Sequence, residues 1–185
     1  MESMRVKDIM VPVEQYVTIS EEATLYEAVV KLEEAQSDYE AGKCPHRAIL
    51  VRARAGKVIG KMSKTDVIRS LEPKYSELGD LRKVSGFGLS PEFMKAMMEK
   101  FELWETPLSD LCRKAADLKV GSLVASPLEG EVIDADAKLD KAVHQIIVGH
   151  NQSLLVKSGD EVVGILRLTD VFQEIAKRIK LCKVQ

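Results

Sequence analysis

Gly60-Lys61-Met62-Ser63-Lys64-Thr65-Asp66 ends one apolar run and opens a helix-like stretch, and Gly164-Ile165-Leu166-Arg167-Leu168-Thr169-Asp170 does the same near the C-terminus. Each copy sets a glycine, an apolar strand end and a Thr-Asp pair at a strand-to-helix junction. Backbone N–H groups and the helix dipole at such a junction can receive an anion. A junction written twice implies a fold written twice, with paired ligand sites.

The repeat extends outward from the junctions. Residues 17–29 align without gaps on residues 131–143, each a brief β-prone segment entering a helix. Leu25, Ala28, Val29 and Leu32 fall at i, i+3, i+4 and i+7, and so share one helix face. Leu139, Ala142, Val143, Ile146 and Ile147 repeat that stripe. Thr24, with Glu27 three residues on, predicts a capping box. Two β-prone runs follow in each half: residues 48–51 and 58–62 around Ala55-Gly56, and residues 153–156 and 162–166 around Ser158-Gly159-Asp160. Glycine turns between such runs predict hairpins. A second helix then runs from Thr65 to Leu71, stopped by Pro73, and from Thr169 to about Ile179. The expected fold is α/β (α+β), with two β-α-β-β-α repeats at residues 4–71 and 119–181. Neither unit can cover its own sheet, so the two should pack as a pseudo-two-fold pair.

The 185 residues are 45% hydrophobic and 30% charged with a formal net charge of −2, which permits a sizeable core and lacks the basic excess of a nucleic-acid binder. No apolar stretch is long enough to cross a bilayer, and the first residues carry no signal-peptide core. The location is read as cytoplasmic. Cys44, Cys112 and Cys182 are too widely spaced for a zinc site and fit free thiols. His46, His144 and His150 have no nucleophile and acid to complete a triad, and no Walker-type loop appears. The chain reads as a non-enzyme.

Residues 72–118 form a linker with two helices. Ser90-Pro91 is a good helix start, and Met94, Met97, Met98, Phe101 and Trp104 then make an apolar stripe. Thr106-Pro107 begins another, carrying Leu108, Leu111, Cys112, Ala115 and Leu118. Core or dimer packing is the expected use of these stripes, and a Met/aromatic surface for a protein partner is the alternative. The first half also inserts residues 37–45 where the second has only Gly149-His150-Asn151-Gln152. That loop either shapes access to a site or is a tolerated surface insertion.

Lys7-Asp8-Ile9-Met10, the β-α-β-β-α order and the two Gly-to-Asp junctions together resemble a tandem cystathionine β-synthase (CBS) domain pair, or Bateman module. A second Asp-Ile-Met-like segment is faintly echoed at residues 120–124. The resemblance implies a regulatory module without catalysis or a required cofactor. Its cleft between the repeats would take an adenosine-containing ligand such as AMP, ADP, ATP or S-adenosylmethionine. It implies that Asp66 and Asp170 hold ribose hydroxyls, with Ser63, Thr65 and Thr169 beside them. Base contacts would come from His46, Arg47 and Ala48 with Thr18 and Ile19, and from Gln152 and Ser153 with Val132 and Ile133. It also implies a homodimer, with the central helices as candidate interface.

The second copy departs from the pattern at Arg167, which stands where the first has Ser63. An arginine cannot accept a hydrogen bond, but it can fork onto a phosphate; it either blocks the second site or favours a phosphorylated ligand. Helix capping is a competing account of both junctions. Ser63 and Asp66 read as a capping box with Asp in place of Glu, while Thr169 caps the second helix and Asp170 favours its dipole. A ligand-free assembly module is the corresponding alternative function.

Overall fold

The computed structural model describes residues 4–37, 47–72, 74–77, 90–101 and 108–181. His46, Cys44, Cys182, Trp104, the Thr106-Pro107 helix start and nearly all of the inserted loop lie outside them. In chain order come β1 (Val11–Pro12), β2 (Thr18–Ser20), α1 (Leu25–Ser37), β3 (Ala48–Arg52), β4 (Val58–Ser63) and α2 (Lys64–Leu71). Between the repeats are α3 (Lys74–Glu77), α4 (Pro91–Phe101), α5 (Leu108–Asp117) and α6 (Val120–Leu123). The second repeat is β5 (Val132–Asp134), α7 (Leu139–Val148), β6 (Ser153–Ser158), β7 (Glu161–Arg167) and α8 (Leu168–Leu181).

The repeats match element for element. β2 runs parallel to β3, a pairing that needs a crossover, and α1 supplies it; β4 then returns antiparallel to β3. β5, β6 and β7 repeat this order around α7. The hairpins turn at Gly56 and Gly159, whose φ values of +83° and +60° are left-handed and suit glycine. Even the irregularity recurs, at Val51/Arg52 in one hairpin and Val156/Lys157 in the other. Thr24 and Glu27 form the expected capping box: the Thr24 N–H reaches Glu27 Oε2 at 2.6 Å, and the Glu27 N–H reaches Thr24 Oγ1 at 3.2 Å.

Each repeat completes its core with a segment from elsewhere in the chain. Val6, wholly buried, packs among Ile133, Leu139, Leu154 and Leu166 of the second repeat. Val120, equally buried, packs among Leu25, Ile49, Val51 and Met62 of the first. The main-chain bonds are equivalent: Val6 N–H to the Ala137 oxygen at 3.0 Å, Val120 N–H to the Ala23 oxygen at 2.9 Å. The weak echo of the Asp-Ile-Met segment at residues 120–124 is therefore its true structural counterpart. Each segment docks on the other repeat, so the two repeats exchange their lead-ins.

This exchange explains the glycine that opens each junction. β1 lies antiparallel to β7, with Pro12 opposite Gly164. A Cβ on Gly164 would stand 2.7 Å from the Val11 oxygen and 2.8 Å from the Met10 sulfur. A Cβ on Gly60 would stand 2.5 Å from Val124 Cγ1. The glycines leave room for the crossing lead-ins, which is a packing requirement and not a ligand contact. Between the sheets Val13, Tyr16, Leu50, Leu155 and Ile165 form a third cluster that joins the halves.

One sequence expectation needs correction. Ile147 is 64% exposed, because eight residues beyond Leu139 the helix has turned about 80° off the buried stripe, while Ile146 stays close to it. On α4, Met94 of the expected stripe and its neighbour Phe93 are half exposed and belong to none of the three buried clusters, which leaves dimer packing or a partner surface for these two side chains. Among the described linker residues, α5 and its exit join the core through Ala115 and Leu118. Among the described residues no helix is long and apolar enough to cross a membrane.

Candidate functional site

β4 ends at Ser63, whose extended backbone (φ −101°, ψ 171°) makes it the N-cap of α2. Asp66 is the third residue of that helix, and its carboxylate turns back on the cap. Asp66 Oδ2 accepts from the Ser63 N–H at 2.8 Å and from Ser63 Oγ at 2.6 Å, and the Asp66 N–H reaches Ser63 Oγ at 3.3 Å. The capping box is thus formed. It uses one carboxylate oxygen; the other lies 3.5 Å from the Arg69 guanidinium, and the side chain is still 35% exposed. A carboxylate offers about four acceptor positions, so Asp66 keeps capacity toward solvent.

That capacity opens into a cleft of about 870 Å³ between the repeats. From the first repeat it is lined by Arg47, Ala48, Ser63, Thr65 and Asp66; Gln152, Ser153 and Thr169 face them from the second. Eight of the expected site residues therefore meet in one place. Thr18, Ile19, Val132 and Ile133 do not line it. Ile19 and Ile133 are buried in the two cores, under the helices that follow their strands. His46 is outside the described residues.

The cleft also holds cations that the motif reading passed over. Lys61, Lys64 and Arg69 line it beside Arg47, against the carboxylates of Asp66 and Glu131. A signal was present for Lys61: strand residues two apart share a face, which puts it on the side of Ser63. Its ammonium reaches across the boundary to the Ser153 oxygen at 2.6 Å. Arg47 likewise donates to Gln152 Oε1 at 3.1 Å, and Lys64 to Gln36 Oε1. His150 lines the cleft in a left-handed conformation, φ +50°.

The second junction is built differently. Thr169 does not cap α8; it is already the second helical residue, and its Oγ1 is buried without a hydrogen-bond partner. Arg167 takes over the carboxylate instead. Its Nε donates to Asp170 Oδ2 at 2.7 Å, its Nη2 to Oδ1, and its main-chain N–H to Oδ2 at 3.1 Å. The side chains of Arg167 and Asp170 are 13% and 10% exposed. Asp170 does not line the large cleft. Arg167, Leu168 and Tyr16 line a second cavity of about 50 Å³, which shares Arg47, Ala48, Gln152, Ser153 and Thr169 with the large cleft. Burial pushes the Tyr16 phenol up to about 12, and the Asp170 charge adds to the shift. Among the described residues no cluster of His, Cys, Asp and Glu could hold a metal ion.

Residues 6–73 match the family model of the CBS domain. No curated protein matches the chain by sequence. Solved structures do match along nearly its whole length. A CBS domain-containing protein of unknown function from Bacillus anthracis is 16% identical with a TM-score of 0.61, covering 95% of both chains. The CBS domain of a bacterial CNNM/CorC family Mg2+ transporter, in complex with ATP, is 15% identical with a TM-score of 0.57, covering 95% of this chain and 89% of that one. CBSX2 in complex with AMP is 17% identical with a TM-score of 0.56, covering 96% of this chain and 99% of that one. The first repeat is thus similar to the CBS domain, and the whole chain shares the fold of these CBS-domain structures.

Proposed function

We propose that this CBS-domain chain is a regulatory sensor that binds an adenosine-containing ligand of the AMP, ADP and ATP class in the cleft beside Asp66. One observation carries the reading: the cleft joins Asp66 of the first repeat to Gln152, Ser153 and Thr169 of the second. A ligand held there touches both halves, and can bias their arrangement if it favours one conformation. Asp66 is suited to a ribose diol, since its outward oxygen offers two acceptor positions and its only partner there among the described residues is the half-exposed Arg69 at 3.5 Å. Lys61, Lys64 and Arg47 suit phosphate, and they disfavour the sulfonium of S-adenosylmethionine. The cleft volume falls in the usual range for small-molecule sites, roughly 300–1,000 Å³. The AMP and ATP complexes of two structural neighbours support the same reading.

The protein does no chemistry on its ligand in this reading, and needs no cofactor. Its output passes through a homodimer or a protein partner. Calorimetric titration with AMP, ATP and S-adenosylmethionine, on wild type and Asp66→Ala, tests the proposal. Affinity below millimolar for a nucleotide, weakened at least tenfold by the substitution, is the expected result. No binding, or binding indifferent to Asp66→Ala, overturns it.

A second reading, a ligand-free assembly module, is favoured by the exposed apolar side chains Phe93 and Met94 on α4 and by Ile68 and Phe172 at equivalent places on α2 and α8. It requires a stable complex on pulldown that nucleotides leave unchanged.

A further inference from the structure

The two junctions are copies in backbone that use their carboxylates in opposite ways. At the first, Asp66 spends one oxygen on its cap, while the other pairs loosely with Arg69 at 3.5 Å and stays open to the large cleft, the side chain being 35% exposed. At the second, Arg167 takes both oxygens of Asp170 from one side chain, in the fork geometry that suits guanidinium to carboxylate. A ribose diol would compete for the same two oxygens. To admit it, the guanidinium would have to leave a carboxylate that is only 10% exposed, stranding two charges in a poorly solvated place.

The surrounding space agrees with the chemistry. Gln152, Ser153, Arg167 and Thr169 mirror Arg47, Ala48, Ser63 and Thr65 of the first repeat. With Tyr16, Leu168 and the first repeat's Arg47 and Ala48 they enclose about 50 Å³, far too little for an adenosine. Gln152, Ser153 and Thr169 also form the far wall of the large cleft. The second repeat therefore contributes to the first site instead of building one of its own.

We propose that Arg167 is the internal occupant of the second site, so that each chain takes a single nucleotide, held at Asp66, and that the residue at position 167 sets this stoichiometry. A serine there would reproduce the Ser63–Asp66 arrangement, free both Asp170 oxygens from the fork and vacate the volume of the guanidinium. This inference rests on the nucleotide reading of the cleft, and the arms below separate the two.

The experiment is calorimetric titration of the full chain with ATP, comparing wild type, Arg167→Ser and Arg167→Ser/Asp170→Ala. The expected stoichiometries per chain are one, two and one. Arg167→Thr carries the same hydroxyl and serves as the second variant if the serine form does not melt cooperatively. Two equivalents taken up by wild type overturn the proposal whatever the variants do. One equivalent in both wild type and Arg167→Ser, lost with Asp66→Ala, overturns this inference and leaves the cleft reading standing. No uptake by either protein overturns both.

Discussion

Lys61 of the first repeat donates from Nζ to the main-chain oxygen of Ser153 in the second, 2.6 Å away and partly buried. The bond ties β4 to the start of β6 at the edge of the cleft, near the cluster of Leu50 and Leu155 that joins the sheets. A hydrogen bond involving a charged group contributes roughly 1.5–3 kcal/mol. Lys61→Met, which keeps the apolar stem, should lower unfolding stability by about 1–2 kcal/mol in urea titration. If the same ammonium serves phosphate, the variant should also lose more affinity for ATP than for AMP. An unchanged ATP-to-AMP ratio would confine Lys61 to the structural role.

The motif glycines should differ in their cost of substitution. A Cβ on Gly60 meets a valine side chain, whereas one on Gly164 meets the main-chain oxygen of Val11. Gly60→Ala should cost about 1–3 kcal/mol, as overpacking usually does. Gly164→Ala should cost more, since β1 must be pushed off the sheet edge. A double-mutant cycle separates the two cases: Val124→Ala should recover much of the loss at Gly60, and Met10→Ala little of the loss at Gly164.

Tyr16 sets an alkaline limit on stability. Its phenol is raised from 10.0 to about 12, chiefly because burial disfavours the phenolate. The folded state therefore holds this proton through a range in which the unfolded chain has lost it. The stabilisation is complete below about pH 10 and is lost as pH rises toward 12. Ultraviolet titration should show one of the four tyrosines ionising late and together with unfolding. Tyr16→Phe should remove that component; a single phenolate step near 10 in the wild type would contradict the burial argument.

The repeat was legible because its signals are local. Apolar periodicity, the glycine turns at Gly56 and Gly159 and the Thr24–Glu27 box all act over a few residues, and each appears where its pattern placed it. The lead-in exchange was not legible, because Val6 and Val120 lie in helices of only three and four residues, too short to show a period. Arg167 was legible as a departure but not in its outcome. Whether it forks onto a phosphate or onto Asp170 depends on burial, and at 13% exposure the intramolecular carboxylate wins. The use of the α4 stripe was not legible for the opposite reason: periodicity reports an apolar face, not what covers it.

The exchange of lead-ins makes each repeat depend on chain that lies outside its own sheet and helices. Val6 is wholly buried in the second core, and Val120 in the first. Truncating either to alanine removes two buried methyl groups and should cost roughly 1–3 kcal/mol. The location of the damage is the sharper expectation. Val6→Ala should speed hydrogen exchange in α7 and β6, more than a hundred residues away, and spare α1 and β3. Val120→Ala should do the reverse. Both variants would also strain the interface formed by Tyr16, Leu50 and Leu155, so nucleotide affinity should fall in each. Exchange that rises first in the repeat adjoining the substitution in sequence would mean that the lead-ins are not swapped in solution.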